Sequence, residues 1–202
     1  MPARILPVEP VRRQSRAVRT REQILAAAVE VMVRHGYAGL TMQRVQTQAE
    51  VTRGALTHHF SSMRELAVAA VDYVAAAQGA EIQEAAGDAG PDRLVAVLHE
   101  VTRRPTYVAG LELWVAARTD PELRAALRPG ARLLGRQLRE QLVPVVGELD
   151  DERLEVFVDG LLSLLRGLAI GGVLRDRPAL EQAVLRSWVE AFGQATTGAG
   201  AG

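Results

Sequence analysis

Residues 41–60 of the chain have the sequence TMQRVQTQAEVTRGALTHHF. The spacing of apolar residues in this stretch predicts one short helix over about residues 42–49 and a second over about residues 53–59. Thr41 and Thr52 precede these helices as candidate N-caps, because a threonine hydroxyl oxygen accepts a hydrogen bond from the first turn of a helix. Two short helices joined by a three-residue turn are typical of a helix-turn-helix.

The flanking residues supply the other helices of a small domain. Residues 20–35 carry an apolar stripe at helical spacing, and Gly36 is a typical helix stop. A long helix is expected to begin after Ser61 and to reach about residue 85. We therefore predict an N-terminal DNA-binding domain over residues 20–66.

The start of the second short helix is suited to contact with DNA. Arg53 supplies a guanidinium group, Gly54 allows a close backbone approach, and Thr57 adds a donor one turn later. A helix fits the major groove of B-DNA, which is about 12 Å wide. The adjacent His58 and His59 could instead bind a metal, but neighbouring helical side chains point about 100° apart and no third ligand is near. We predict no metal site.

These residues resemble the tetracycline-repressor-like (TetR) family of bacterial transcriptional regulators. The resemblance covers about residues 20–66, and the total length and helix number also fit. Beyond about residue 70 it is limited to helix number and length. The matching residues are His35-Gly36-Tyr37, Leu40-Thr41, Arg53-Gly54-Ala55-Leu56, His58-His59-Phe60 and Glu65-Leu66.

The resemblance implies a set of DNA contacts, with Thr41 against phosphate and the second helix in the major groove. The chain departs from the family at three positions. It has Glu50 where the family has glycine, Thr57 where the family has tyrosine, and Met63 where the family has a phosphate-contacting lysine. Arg64 is the candidate substitute for that lysine. The predicted DNA-binding residues are Thr41, Arg44, Thr52, Arg53, Gly54, Ala55, Thr57, His58, His59 and Arg64.

The charge of the chain is unevenly distributed although its net value is zero. Residues 1–64 hold ten arginines and four acids, so this part carries about +6 and the remainder about −6. A basic segment on an acidic chain indicates a polyanion-binding region. Residues 1–19 are proline- and arginine-rich, and we predict a disordered arm there. This arm either contacts DNA phosphates or a minor groove, or is merely a solvated tail. All 24 basic residues are arginine, which codon bias alone could explain.

The rest of the chain predicts helices only. No segment alternates with the period of a strand over a useful length. We expect an all-α fold of about nine helices, with a ligand-binding and dimerisation domain over residues 67–195 and a flexible tail over residues 196–202. The sequence Arg128-Pro129-Gly130 is a candidate kink in one of these helices.

Residues 106–118 form a nearly all-apolar segment that we expect to be buried. Glu112 lies in it, and a buried carboxylate is costly unless it is paired. It either forms an ion pair with an arginine or anchors a polar ligand in a pocket whose apolar wall is Tyr107 and Trp114. We predict these three residues as the ligand site.

The last two long helices carry more apolar surface than the core of one subunit needs. Gly160, Gly167 and Gly171 allow close helix approach, and Trp188 and Phe192 lie on a wide apolar arc. We predict that these residues form a homodimer interface, a four-helix bundle. The alternative is a purely intramolecular core.

The combined expectation is a homodimeric DNA-binding transcriptional regulator, a repressor of a palindromic operator that a small ligand releases. The alternative is a ligand-binding or adaptor protein on the same scaffold without DNA binding. The chain has no cysteine, no phosphate-binding glycine loop and no nucleophile motif, so we predict no enzyme and no cofactor. It also lacks a secretory pattern and a convincing membrane span, so we predict a cytoplasmic location.

Overall fold

The computed structural model of the chain describes residues 9–88, 90–146 and 150–198. Within these ranges the structure consists of nine α-helices, a 3₁₀ turn at Tyr37–Gly39 and short connections, with no strand, which confirms the predicted all-α fold. In the described part of the chain, no helix is both long and apolar enough to cross a bilayer. The helices are α1 Glu9–His35, α2 Met42–Ala49, α3 Arg53–His59, α4 Met63–Asp88, α5 Gly90–Arg103, α6 Pro105–Ala116, α7 Pro121–Val146, α8 Asp151–Gly172 and α9 Pro178–Gly198.

The chain divides into two compact units between Ala70 and Val71, inside α4. The division lies four residues beyond the boundary expected from the sequence. In the first unit, α1, α2, α3 and the start of α4 bury one apolar core, because each of these helices is apolar on one face only. Its members are Ile24, Leu25, Ala27, Ala28, Val31, Met32, Leu40, Val45, Ala49, Leu56, Phe60, Leu66, Ala67 and Ala70.

Helix α1 is longer than predicted, because it begins at Glu9 instead of Thr20. The expectation of an arm without helix is therefore wrong for residues 9–19, and residues 1–8 lie outside the described range. Pro10 is compatible with a first helical turn, where its missing N–H has no intrahelical partner. No further proline or glycine follows until Gly36, so nothing in the local sequence stops the helix. Residues 16–19 are exposed, so this part of the extension does not contribute to the core.

The second unit is built around α5, α7, α8 and α9, whose apolar faces meet in one cluster. Leu94, Leu98, Leu142, Leu161 and Leu185 are among its most buried side chains. Helix α6 begins with a proline, a residue suited to the first helical turn.

Helix α7 runs without interruption through Arg128-Pro129-Gly130, so the candidate kink does not split it. Gly130 has a packing role there, since a Cβ at this position would lie 2.5 Å from Oδ1 of Asp72 on α4. The predicted tail begins within α9, which extends to Gly198, and residues 199–202 lie outside the described range.

Candidate nucleic-acid interface

The two short helices begin as predicted, each with a threonine N-cap. The Thr41 hydroxyl oxygen accepts a hydrogen bond from the Arg44 backbone N–H at 3.3 Å, at the start of α2. The Thr52 hydroxyl oxygen accepts one from the Ala55 N–H at 3.2 Å, at the start of α3. Each cap satisfies a donor that the helix itself leaves without a partner, and this fixes where each helix starts.

The turn between the two helices contains a residue in a strained conformation. Glu50 has φ 52° and ψ 37°, the left-handed region that favours glycine. The conformation brings the Val51 N–H to the Gln46 carbonyl oxygen at 3.3 Å and so terminates α2. The family usually has glycine here, and this chain holds the same turn with a side chain in place.

Polar contacts hold α2 against α1 at the edge of the core. The Gln23 side-chain amide donates to the Ala49 carbonyl oxygen at 2.7 Å, which gives this carbonyl at the end of α2 a hydrogen-bond donor. The Gln48 amide donates to Glu30 at 2.6 Å, and Arg34 donates to the same carboxylate at 3.0 Å. The contacts of Gln23 with Ala49 and of Gln48 with Glu30 could not be predicted from the sequence, since the partners are separated by 26 and 18 positions and no local pattern links them.

Helix α3 is oriented by two buried side chains, Leu56 within it and Phe60 at its end. The opposite side is therefore exposed and includes Arg53, Gly54 and Thr57. In the part of the chain that the structure describes, the Arg53 guanidinium has no hydrogen-bond or ion-pair partner, so all its donors are free for an external acceptor.

Gly54 is not needed by the fold. Among the described residues, a Cβ at this position would meet no atom within 4 Å other than those of its own stretch of helix, and the residue lies in ordinary helical backbone. The Thr57 hydroxyl is turned back to its own helix, where it donates to the Arg53 carbonyl oxygen at 3.0 Å. The residue as a whole is exposed.

Arg44 has a different environment from Arg53. Its Nη1 donates to the Gly39 carbonyl oxygen at 2.6 Å, which positions the guanidinium beside the start of α2. Gly39 allows this contact, because a Cβ there would lie 2.6 Å from Cβ of His35 and 3.0 Å from Nη1 of Arg44. The other guanidinium donors of this exposed side chain can reach an anion.

The two histidines at the end of α3 are adjacent but unequal. Their ring centroids lie 5.4 Å apart; His58 is exposed and His59 is half-buried. Burial lowers the pKa of His59 below its ordinary value, and the nearby His58 and Arg21 charges lower it further. The lowered pKa favours the uncharged ring of His59, which can donate or accept a hydrogen bond. Arg21 also lies 5.2 Å from the Phe60 ring centroid, a cation–π contact.

The start of α4 is capped by serine and glutamate. The Glu65 N–H donates to the Ser62 hydroxyl at 3.1 Å, and the Ser61 N–H and hydroxyl donate to the Glu65 carboxylate at 2.8 and 2.7 Å. The two hydrogen bonds from Ser61, first that of its hydroxyl and then that of its backbone N–H, lower the pKa of Glu65. Arg64 lies in the same turn and is half-buried, as is Met63. Among the described residues, no group of three histidines or acids could hold a metal.

The predicted ligand residues in the second unit do not share one environment. Tyr107 and Trp114 both lie near Arg166. Burial raises the pKa of Tyr107, and the Arg166 charge opposes this rise. The Arg166 guanidinium carbon lies 4.4 Å from the Trp114 ring centroid. Glu112 is exposed, so the expected buried carboxylate is wrong. One side of α6 faces outward, because Trp114 is 37% and Val115 65% exposed.

The predicted interface residues on α8 and α9 fall into two groups. Trp188 and Phe192 are half-buried and pack on Phe157 of the same chain, with ring centroids 5.0 and 4.9 Å apart, and Gly160 lies against Trp188. These three therefore contribute to packing within the second unit of the chain itself. Gly167 and Gly171 are exposed with no atom within 4 Å of a Cβ.

The arrangement of capped short helices, a buried anchor and an exposed, unpaired arginine defines a helix-turn-helix DNA-binding protein. Residues 24–70 match the family model of bacterial regulatory proteins of the tetR family, and residues 92–196, more than half of the chain, match the C-terminal domain of BetI-type transcriptional repressors. The chain belongs to the tetR family and is a DNA-binding transcriptional regulator.

Individual relatives agree with this assignment. The transcriptional repressor AcnR of Corynebacterium efficiens is 28% identical over 183 residues, which cover 84% of this chain and 94% of that protein. The regulator CymR of Pseudomonas putida is 39% identical over 59 residues, 29% of each chain. Among solved structures, the multidrug-binding protein EbrR in complex with ethidium has a TM-score of 0.64 at 26% identity, with 84% of this chain and 97% of that one covered. A transcriptional regulator from Rhodococcus has a TM-score of 0.68 at 20% identity, with 87% and 96% covered, and shows the common fold.

Proposed function

We propose that this regulator is a homodimeric repressor that binds a palindromic operator in the cytoplasm and is released when a small molecule binds its second unit. The observation that carries the proposal is the exposed start of α3, where Arg53 has no partner within the described residues. A free guanidinium at the N-terminus of a short helix is suited to the paired acceptors of guanine in the major groove. The relative AcnR is named a transcriptional repressor, which supports repression over activation for this protein.

The proposed DNA contacts divide into two kinds. The first kind would face base edges or the DNA backbone at close range, from the exposed side of α3. These residues are Arg53, Gly54, Thr57 and His58. The residues proposed to contact phosphate surround them: Thr41, Arg44, Thr52, Ala55, His59 and Arg64. The exposed Arg16 and Arg19 on the extension of α1 would add phosphate contacts that depend on salt but not on sequence.

The proposed dimer surface lies where α8 ends and α9 begins. Large apolar side chains are unusually exposed there, and stable exposed apolar patches commonly mark protein interfaces. They are Ile170, Val173, Leu174, Leu180 and Val184, with Gly167 and Gly171 beside them in sequence. A two-fold contact at this surface would hold two recognition helices about one DNA turn apart, about 34–36 Å.

The proposed effector site is in the second unit, near Tyr107 and Trp114. A ligand that binds one arrangement of the two DNA-binding units better than the other shifts the population and so changes operator affinity. The presence of ethidium in EbrR supports a small-molecule site in this fold.

Selection of bound duplexes from a random DNA pool tests the function directly. We expect enrichment of an inverted repeat with half-sites one helical turn apart. A single half-site without symmetry would contradict the dimer, and recovery of no sequence at any salt concentration would favour a ligand-binding or adaptor protein instead. The Arg53→Ala variant serves as the matched control, since its fold should be retained.

A further inference from the structure

A groove of about 590 Å³ on the second unit has an unusual charge. Helices α6, α7 and α8 line it, and the apolar side chains of Val158 and Leu162 form part of its wall. Five arginines and two acids also line it, a net charge of +3 in a unit whose overall charge is negative. The charged residues are Arg128, Arg132, Arg136, Arg139, Glu155, Asp159 and Arg166.

Three of the arginines that line the groove form a row along α7. Arg128, Arg132 and Arg136 follow one another at intervals of four residues, so they project from one face of the helix with Cα atoms about 6 Å apart. All three are exposed, and within the described residues none forms an ion pair. Like charges at this spacing destabilise a helix, which means that the fold itself gains nothing from the line.

The other two arginines are held in place. Arg139 is paired with Asp151 at the N-terminus of α8, and Arg166 lies over the Trp114 ring, its guanidinium carbon 4.4 Å from the ring centroid. A guanidinium stacked on an aromatic face keeps its in-plane N–H donors available, so Arg166 can bind an acceptor in the groove without leaving Trp114.

We infer that this groove binds a small organic molecule carrying two anionic groups, carboxylate or phosphate, which is the effector class of the regulator. Arginine binds such groups through two parallel hydrogen bonds, and a line of guanidinium groups about 6 Å apart offers two anchoring points to one molecule. Glu155 and Asp159 on the opposite wall would accept hydrogen bonds from hydroxyl or amino groups between the anionic ends. The effector part of this inference rests on the proposed function.

Ligand pairs that differ by one charge give the sharpest test. Adipate and hexanoate have the same six carbons, and only adipate has a second carboxylate. At constant ionic strength, thermal unfolding of the wild-type chain and the fluorescence of Trp114 in a Trp188→Phe background report binding independently. We expect adipate to bind at least tenfold more tightly than hexanoate, and glutarate and succinate to define the preferred separation.

Matched variants locate the site. The double variant Arg132→Gln, Arg136→Gln should lose at least tenfold in adipate affinity, whereas Arg124→Gln, the preceding member of the same series but outside the groove, should keep it. Equal binding of adipate, hexanoate and inorganic phosphate, or equal loss in the Arg124 variant, would overturn two-point recognition in the groove.

Operator titration separates the two proposals. Adipate should reduce operator affinity of the wild type and leave that of the double variant unchanged. If no dianion shifts stability, fluorescence or operator binding while the operator itself is bound, the anionic ligand class is wrong and the repressor function stands. If dianions bind but no operator is selected, the groove assignment stands and the repressor function fails.

Discussion

Gly160 of α8 lies so close to Trp188 of α9 that a Cβ at position 160 would stand 2.7 Å from the Cζ2 atom of the indole ring. The ring stacks in turn on Phe157, which is almost completely buried. The glycine is therefore part of an intramolecular aromatic contact. A charged residue at position 188 would disrupt this core, so it cannot test dimerisation cleanly.

Gly160→Ala should lower the free energy of unfolding by about 1–3 kcal/mol, since the added methyl group overpacks a well-filled site. Urea denaturation followed by circular dichroism measures this. Gly135→Ala is the control, because a Cβ there meets no atom within 4 Å and alanine is the better helix former, by up to about 1 kcal/mol. Equal effects of the two substitutions would show that the Trp188 contact is not tight.

Leu180→Glu tests the proposed dimer surface. Leu180 is 53% exposed, so the subunit fold should be nearly unaffected, while a charge in a desolvated interface should shift the protein to monomer. Sedimentation velocity and operator titration should change together, with specific binding lost and weak non-specific binding kept. Val115→Glu places the same charge at another exposed apolar position, on α6, and should remain dimeric. A dimeric Leu180→Glu protein with normal operator affinity would move the interface elsewhere.

Glu50→Gly should stabilise the N-terminal unit by about 1 kcal/mol. The backbone at this position has φ 52°, and a residue with a side chain is strained there while glycine is not. Denaturant titration measures the change. Glu50→Ala removes the charge but keeps the strain, so it should give no comparable gain; a similar gain in both variants would assign the effect to the carboxylate instead.

Arg53→Ala should weaken specific DNA binding by about 1–3 kcal/mol if the guanidinium contacts a base edge. Its side chain is exposed, so thermal stability should not change. Gel-shift titration at fixed salt against operator and random duplex separates a base contact from a phosphate contact. Arg118→Ala, at an exposed turn of the second unit, is the control for lost positive charge. Unchanged operator affinity in Arg53→Ala would remove this residue from the site.

Glu181→Gln should destabilise the second unit by about 2 kcal/mol at neutral pH, because two charge-assisted contacts weaken in a buried place. His99 lies 2.9 Å from the Glu181 carboxylate, and Arg103 donates to it at 2.8 Å. Asp176→Asn weakens only the exposed ion pair of Asp176 with Arg103, and it should lower the free energy of unfolding by less than about 1 kcal/mol. Urea denaturation of both variants measures the difference; equal costs would contradict the special role of Glu181.

The same group gives a pH dependence with a definite sign. Burial alone would raise the pKa of Glu181, but hydrogen bonds from His99 and Arg103 outweigh it and the net pKa is lowered from 4.5. A carboxyl group with a lowered folded-state pKa contributes stability that is fully present above 4.5 and is lost as the pH falls through the folded-state value. The difference between wild type and Glu181→Gln should therefore shrink below pH 4.5, and a constant difference would contradict this account.

Local signals predicted the DNA-binding unit well. The bounds of α2 and α3 follow from two threonine caps and a stop within a few residues, all of which are visible in sequence. The start of α1 does not follow from the sequence, because three prolines and the lack of an apolar stripe in residues 1–19 favour an extended arm, although proline is compatible with a first helical turn. Long-range packing could not be predicted in the same way: whether Glu112 on α6 is buried depends on how the helices of the second unit pack together, and the structure places this residue at the exposed surface.

The groove lined by five arginines could also not be predicted from the sequence, although part of its pattern is visible there. The four-residue spacing of Arg128, Arg132 and Arg136 is plain in the sequence, but a charged helix face is ordinarily just solvated. The groove exists only because α8 brings Asp159 and Arg166 opposite that face, about 30 residues further along the chain. The four-residue spacing therefore predicts a charged helix face, but only the packing of α8 against α7 shows that this face borders a groove.

At Gly54, the residue that would most stabilise the helix differs from the one that a closely approaching surface requires. The fold offers room for a side chain at this exposed position of α3, and alanine would stabilise the helix by up to about 1 kcal/mol. Any evolutionary constraint that keeps glycine there must come from outside the chain, from a surface that approaches the helix too closely for a methyl group. Where that surface is DNA, a lineage that gained a side chain at position 54 would become a more robust protein and change its operator in the same step.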